Sequence, residues 1–349
     1  MLGDFSIIGL QVISDVIDLP PDVIIELYNR SDTYIKKNIA INPNTPKYIL
    51  TELSNSNDDD IKLNVASNIT TPKDTLVKLS NDTNKYIRKA VAKNINTPLE
   101  TIIKLFNDKE ELVVEAAASN PSIPKETIIK LSNSPNLSII KGIAMNTNTP
   151  SDILVKLYEK YKYYTSILAN IAGNIKTPKD TLIMLYNYGI ELYWSDKKDI
   201  SIIRNLAKNT NTPSDIQTNI FYYVDDNITL INLADNVNTP SGILTKLSYN
   251  KSEGIKKRVA KNINTPINIL IKLSKDESNE VKIAVARNPK TPDYVLRNLI
   301  KSNDDYIKIA VINNPNTPLD IILHLMLYDE YKVTRFRAFL KMKSRCEKI

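Results

Sequence analysis

The sequence predicts an all-α solenoid of about twelve two-helix repeats, and three observations carry that expectation. An Asn stands four residues before a Pro eleven times, from Asn42/Pro46 and Asn68/Pro72 through to Asn288/Pro292 and Asn314/Pro318. Successive Pros of this set lie 26 residues apart, broken only by central steps of 28, 35 and 27, and Pro20 precedes Pro46 by another 26. Each interval also holds two apolar runs at helical spacing. Self-similarity at this period means one supersecondary unit stacked many times, each burying its apolar face only against its neighbours.

The stretch from Thr71 to Asn94 shows one unit in order. Thr71 reads as an N-cap, Pro72 as the first helical residue and Asp74 as an acid in the first turn. Pro at that place loses no helical hydrogen bond, and the acid favours the positive helix end. The same position holds Asp22, Glu100, Glu126, Asp152, Asp180, Asp215 and Asp320. The first helix then carries Leu76 and Leu79, matched by Leu50/Leu53, Ile102/Leu105 and Leu270/Leu273. A polar turn over 80–85 ends it. The second helix runs about from Tyr86 to Lys93, with Ile87, Ala90, Val91 and Asn94 on one stripe. It is barely two turns, so some 3₁₀ character is expected. Ala92 sits six residues before the Pro, and Ala recurs there from Ala40 to Ala286, with only Ile312 breaking the column. A small residue held so regularly implies close approach of the neighbouring helix. The recurring Asn has two structural readings: a helix-terminal residue in the left-handed conformation, or a side chain bonding backbone from repeat to repeat.

The composition narrows the chemistry. One Cys (Cys346) and one His (His324) exclude a disulfide within the chain and leave no Cys/His metal set, so no metal or cofactor is expected. Seven Gly residues argue against a phosphate-cradling loop. The N-terminal stretch carries Asp4, Asp15 and Asp18 and no basic flank, so it does not read as a secretory signal. No run approaches the roughly 18 uncharged residues of a membrane span, and the expected compartment is cytoplasmic. The organisation expected is one solenoid domain over 1–349: an N-terminal cap at 1–19, regular repeats over 20–156 and lengthened aromatic-rich repeats over 157–239. Regular repeats follow over 240–332, then a C-terminal cap with a basic tail at 333–349. The net charge is +7, with much of the excess at Arg335, Arg337, Lys341, Lys343, Arg345 and Lys348.

The unit beginning at Ile87, IRKAVAKNINTPLETIIKLFND, and that beginning at Val281, VKIAVARNPKTPDYVLRNL, resemble the leucine-rich repeat variant family. In that family a V-R-x-A-V-A-x-N-P-x-T-P run is followed by a Leu-spaced helix. The resemblance covers nearly the whole chain. It implies a right-handed superhelix of paired short helices, similar to HEAT and armadillo arrays, and a second helix more fully α-helical than in the shorter family units. Some relatives carry an iron–sulfur module, which a chain with only Cys346 cannot hold. The resemblance implies no common activity.

Departures from the repeat carry the functional expectations. Ten residues before each Pro the outer repeats place a base: Lys36, Lys62, Arg88, Lys256, Lys282 and Lys308. The middle repeats place Val114, Ile140, Leu168, Ile203 and Leu230 there, and add aromatics that include Tyr163, Tyr164, Tyr193, Trp194, Tyr222 and Tyr223. Either the rings pack over the apolar column, or column and rings form a Tyr-rich binding patch between basic arms. The expected function is a non-enzymatic scaffold holding a protein or extended peptide on the inner surface, with the rings as anchor and the bases as guides. The alternative is a nucleic-acid binder using the aligned bases and the tail. For an enzyme, only Asp225 and Asp226 beside Tyr222 and Tyr223 offer a cluster. A second Lys column, which includes Lys78, Lys104, Lys130, Lys156, Lys246 and Lys272, is expected near the end of the first helix, where it suits the helix dipole.

Overall fold

The computed structural model describes residues 7–15, 19–30, 32–195 and 198–346. Parts of the expected N-terminal cap (1–6 and 16–18) and the tail residues Glu347 and Lys348 lie outside them. Among the described residues every regular element is a helix. The chain divides into two compact units, residues 1–178 and 179–349, at a boundary inside the lengthened central stretch.

In the first unit α1 (Ile7–Ser14) precedes six helix pairs. They are α2 (Pro21–Tyr28) with α3 (Thr33–Ile41), α4 (Lys47–Leu53) with α5 (Asp59–Ser67), and α6 (Lys73–Leu79) with α7 (Lys85–Lys93). Next come α8 (Leu99–Leu105) with α9 (Glu111–Ala118), α10 (Lys125–Leu131) with α11 (Leu137–Met145), and α12 (Ser151–Lys160) with α13 (Thr165–Gly173). The second unit holds six more pairs. It opens with α14 (Lys179–Trp194) and α15 (Ser201–Lys208), α16 (Ser214–Tyr223) and α17 (Asn227–Asp235), and α18 (Ser241–Leu247) and α19 (Glu253–Lys261). It closes with α20 (Ile267–Leu273) and α21 (Asn279–Arg287), α22 (Asp293–Leu299) and α23 (Asp305–Asn313), and α24 (Leu319–Tyr328) and α25 (Lys332–Cys346). We call the first helix of each pair A and the second B.

Within each unit the B helices stack side by side, α5 on α7 on α9 on α11 and α15 on α17 on α19 on α21. Each A helix packs on its own B helix, and no A helix meets the next to a comparable degree. The B helices thus form a continuous wall in each unit, and each unit is an α-solenoid. The core is the apolar stripe of both rows, as in Ile49, Leu50 and Leu53 from α4 against Ile61, Val65 and Ala66 from α5. α9 and α11 approach closely: a Cβ on Gly142 would come within 2.5 Å of the Ala118 Cβ and against the Glu115 carbonyl.

Helix starts differ from the sequence expectation. The A helices begin one residue later than expected. Pro72 occupies the cap position itself with an extended backbone (φ −58°, ψ 146°), and its carbonyl accepts from Leu76 N at 3.0 Å. Pro46, Pro98, Pro150 and Pro266 do the same. Thr71 is not an N-cap: its hydroxyl donates 2.6 Å back to the Val65 carbonyl, closing the end of the preceding B helix. A Pro has no side-chain acceptor, so these caps are made by carbonyl alone. Side-chain caps sit instead on the B helices, where Asp58, Asn84, Asp226 and Asp304 accept from the first-turn N–H groups. These B helices are α-helical rather than 3₁₀, nine residues long in most repeats.

The conserved spacing of Asn has a single explanation in both units. Asn68, Asn94 and Asn262 close their B helices with extended backbone (φ −71°, −68° and −66°), which excludes the left-handed reading. The side chain instead forms a ladder. Asn94 Nδ2 donates at 2.9 Å to the carbonyls of both Ala66 and Asn68, while its Oδ1 accepts from Asn96 N at 2.9 Å. The pattern continues through Asn120, Asn146 and Asn174 in the first unit and Asn236, Asn262, Asn288 and Asn314 in the second. The Ala of each repeat is small because its carbonyl must meet the next Asn. A second, outer column, Asn96, Asn148, Asn238, Asn264 and Asn316, donates to the loop carbonyl of the repeat before. The N-x-N-T-P spelling of these loops is its signal in the sequence.

Candidate functional site

The repeat topology gives each unit two edges and a wall. At one edge an A helix ends and its B helix begins; at the other, B ends in the Asn-x-x-Thr-Pro loop and the next A begins. Lys62 and Arg88 of the first unit, and Lys256 and Lys308 of the second, stand beside the A–B turns. There Lys62 pairs with Asp82 (2.9 Å), Lys256 with Asp276 (2.5 Å) and Lys308 with Asp329 (2.8 Å). Arg88 makes a two-pronged pair with Asp108 at 2.7 and 3.0 Å, and both side chains are only 8% exposed. That pairing raises the guanidinium pKa and, with Arg88 as the main cause, lowers that of Asp108. The partner is the residue twenty positions on, or twenty-one after the longer α24. Ser56 and Ser302 take that place for Lys36 and Lys282, which are half-buried and make no ion pair among the described residues. Four of the six bases are therefore committed to the neighbouring repeat.

The apolar residues that replace this column in the middle repeats are core. Val114, Ile140, Leu168, Ile203 and Leu230 are all buried, so they form no patch with the rings. The rings themselves divide. Tyr161 is buried, whereas Tyr163 is 90% exposed and Tyr164 about half exposed, on the turn between α12 and α13. In the second unit Trp194 (69% exposed), Tyr222 and Tyr223 stand at the ends of α14 and α16. Tyr193 stacks edge-on against Trp194 at 5.0 Å, and its hydroxyl accepts from Asp225 N at 3.3 Å. The physical cause is where the extra residues went. The period lengthens because the A helices grow at their C-terminal ends, to ten residues in α12 and α16 and sixteen in α14. The added aromatics thus lie on the A–B-turn edge rather than on the wall.

The second Lys column ends the A helices as expected and also reaches back one repeat. Lys78 and Lys104 donate to Asn55 and Asn81 in the turn before. Tyr222 and Tyr249 occupy that Asn position in the second unit, and Lys246 and Lys272 lie over their rings at 4.5 and 3.0 Å. An amide acceptor has been exchanged for a π face, with the Lys retained.

Asp226 is engaged by its neighbours. It caps α17 through Thr229 N and Oγ1 (2.8 and 2.7 Å) and pairs with Arg204 at 2.8 Å. The Arg204 hydrogen bonds, reinforced by Thr229, hold its pKa at about 2 against the opposing effect of burial. His324 is exposed on α24, against the Tyr328 ring at 5.4 Å. Among the described residues no group of three or more His, Cys, Asp or Glu side chains is placed to hold a metal ion. Among the described residues no helix is long and apolar enough to cross a membrane.

The wall is where the sequence reading fell short. On the first unit, between α5, α7 and the loops after them, lies an open recess of about 450 Å³. It is lined by Leu63, Ile69, Tyr86, Lys89, Lys93 and Ile95, of which Ile69, Tyr86 and Ile95 are more than half exposed. A smaller recess of about 140 Å³ adjoins it and shares Lys89 and Lys93, continuing to Leu112, Glu115 and Met145. Neither lysine makes an ion pair. An exposed Ile follows four of the ladder Asn residues (Ile69, Ile95, Ile175 and Ile263) and was visible in the sequence, but a loop residue gave no reason to expect a wall contact.

A scan against protein-family models found no match, and a search of curated proteins found none. Among solved structures, a leucine-rich repeat variant described as a novel repetitive structural motif matches at 14% identity. The match spans 82% of this chain and 88% of that one, with a TM-score of 0.34. The chain is similar to a leucine-rich repeat variant. A computationally designed armadillo repeat protein for modular peptide recognition matches at 15% identity over 93% of this chain and 99% of that one, with a TM-score of 0.11. Superpositions this loose do not by themselves establish a shared fold; the solenoid assignment rests on the helix order and the Asn ladder.

Proposed function

We propose that this chain is a non-enzymatic binding scaffold that holds an extended protein segment along the B-helix wall of its first unit. The observation that carries the reading is the pair of adjoining recesses over α5, α7 and α9. There exposed apolar side chains surround Lys89 and Lys93, which make no ion pair among the described residues, with Glu115 on the far side of the smaller recess. A folded protein that leaves aliphatic and aromatic groups in a continuous concavity, beside charged side chains, is shaped for a ligand with both characters. The exposed rings lie on the A–B-turn edge of each unit, Tyr163 and Tyr164 on the first and Trp194, Tyr222 and Tyr223 on the second, where each set suits secondary contacts with a folded partner. The nucleic-acid alternative draws less support from the aligned bases, since most of them are neutralised within the array.

Display selection of random peptides against the purified protein tests this. Selected peptides should lose binding to a Tyr86→Ala/Ile95→Ala double variant of unchanged helicity. Failure to enrich any peptide, or equal binding by the double variant, removes the wall as the site.

A further inference from the structure

The second unit carries its own wall feature, of different chemistry. Three B helices there end in a base, Lys208 on α15, Lys261 on α19 and Arg287 on α21, while α17 between the first two ends in Asp235; among the described residues none of these bases makes an ion pair. Elsewhere on α15 and α19 the bases are matched: Arg204 with Asp226, Lys256 with Asp276, Lys257 with Glu280 and Arg258 with Asp235. A base in the last turn suits the helix dipole, which accounts for each one singly. It does not account for their accumulation. Lys261 is lowered from its ordinary pKa by partial burial and then by Arg258, Lys257 and Arg287, a like-charge crowding that only Asp235 offsets. Between these bases the loops present Val237 and Ile263, both more than 40% exposed.

We infer that this strip docks an extended acidic peptide segment, with carboxylates meeting Lys208, Lys261 and Arg287 and aliphatic side chains meeting Val237 and Ile263. Spacing favours such a ligand. Adjacent B helices lie roughly 10 Å apart and an extended chain advances about 3.4 Å per residue, so acids about three residues apart reach Lys261 and Arg287 on the neighbouring α19 and α21, and an acid about six residues further along reaches Lys208 beyond α17. The strip's own chemistry favours a peptide over nucleic acid. Aliphatic side chains, Val237 and Ile263, separate the bases where a single strand would need stacking rings. The inference stands whether or not the first unit's recess is occupied.

The test uses the full chain and a fluorescein-labelled peptide of about twelve residues repeating Glu-Leu-Ser, compared by anisotropy with a Lys-Leu-Ser peptide and with oligothymidine of similar length. The acidic peptide should bind most tightly, more weakly as salt rises, and at least about tenfold more weakly to a Lys261→Glu/Arg287→Glu variant. Tyr86→Ala/Ile95→Ala should leave that binding unchanged, which separates this strip from the first unit's recess. Both substituted bases are exposed, so circular dichroism of the variant should match the wild type; Lys261→Met/Arg287→Met gives the same weakening without charge reversal. Binding of the basic peptide or of oligothymidine as tightly as the acidic one, or an unaffected variant, overturns the inference.

Discussion

Replacing Asn120 by Ala should break the first unit at one joint. The Asn120 side chain is fully buried; its Nδ2 donates to the carbonyls of Ala92 (2.7 Å) and Asn94 (2.9 Å), and its Oδ1 accepts from Ser122 N at 2.8 Å. The Asn94 carbonyl keeps a second donor, Thr97 N at 3.1 Å. The Ala92 carbonyl and the Ser122 amide lose the partners that the ladder supplies. One buried carbonyl left unmatched, at about 1–3 kcal/mol, plus about 1 kcal/mol for the lost bond to the exposed Ser122 residue, gives an expected loss of roughly 2–4 kcal/mol. Set against typical domain stabilities of about 5–15 kcal/mol, that is a large fraction. Because a solenoid is coupled only through neighbour contacts, the damage should be local. Urea denaturation followed by circular dichroism measures the loss, and hydrogen exchange locates it, with protection falling in α7 and α9 while α3 is spared. Asn120→Asp should do no better, since an anionic oxygen would face two carbonyls. A loss below about 1 kcal/mol with unchanged exchange would falsify the view that the ladder joins the repeats.

Three further outcomes can be checked. Gly142→Ala forces a methyl against the Ala118 Cβ and the Glu115 backbone, and should cost about 1–3 kcal/mol despite alanine's better helix propensity; a more stable variant would mean that α9 and α11 are free to part. Asp226 has a folded pKa of about 2, depressed from an unfolded value near 3.9, so its pairing stabilises the protein fully above about pH 4 and is lost as pH falls through about 2. The stability difference between wild type and Asp226→Asn should accordingly shrink from pH 5 to pH 2, and a difference constant over that range would contradict the Arg204 assignment. Trp194 is the sole tryptophan and is 69% exposed, so its emission should be red-shifted and readily quenched by iodide; blue-shifted, protected emission would place the α14 end in a core.

Much of the architecture was legible before any coordinates, because period and apolar spacing follow directly from how a stacked unit buries itself. The Ala column and the Asn ladder are consequences of the same contact: one residue must be small so that its carbonyl can meet the other's amide. Local hydrogen bonding was read less well. Thr71 beside Pro72 looks like an N-cap in isolation, yet its hydroxyl turns back to Val65, since the Pro carbonyl already closes the new helix.

The site residues show the boundary most clearly. Spacing alone aligned Lys62, Arg88, Lys256 and Lys308, but a base is free or neutralised according to a side chain twenty or so positions away. Only the packing of one repeat on the next brings Asp82, Asp108, Asp276 and Asp329 into reach. The same holds for the central rings, which are aromatic by composition and exposed by position, because the added turns extend past the A-helix core. Periodicity is a property of the chain and survives in one dimension. Whether a given charge or ring meets a partner depends on two surfaces that approach each other only after the helices have stacked.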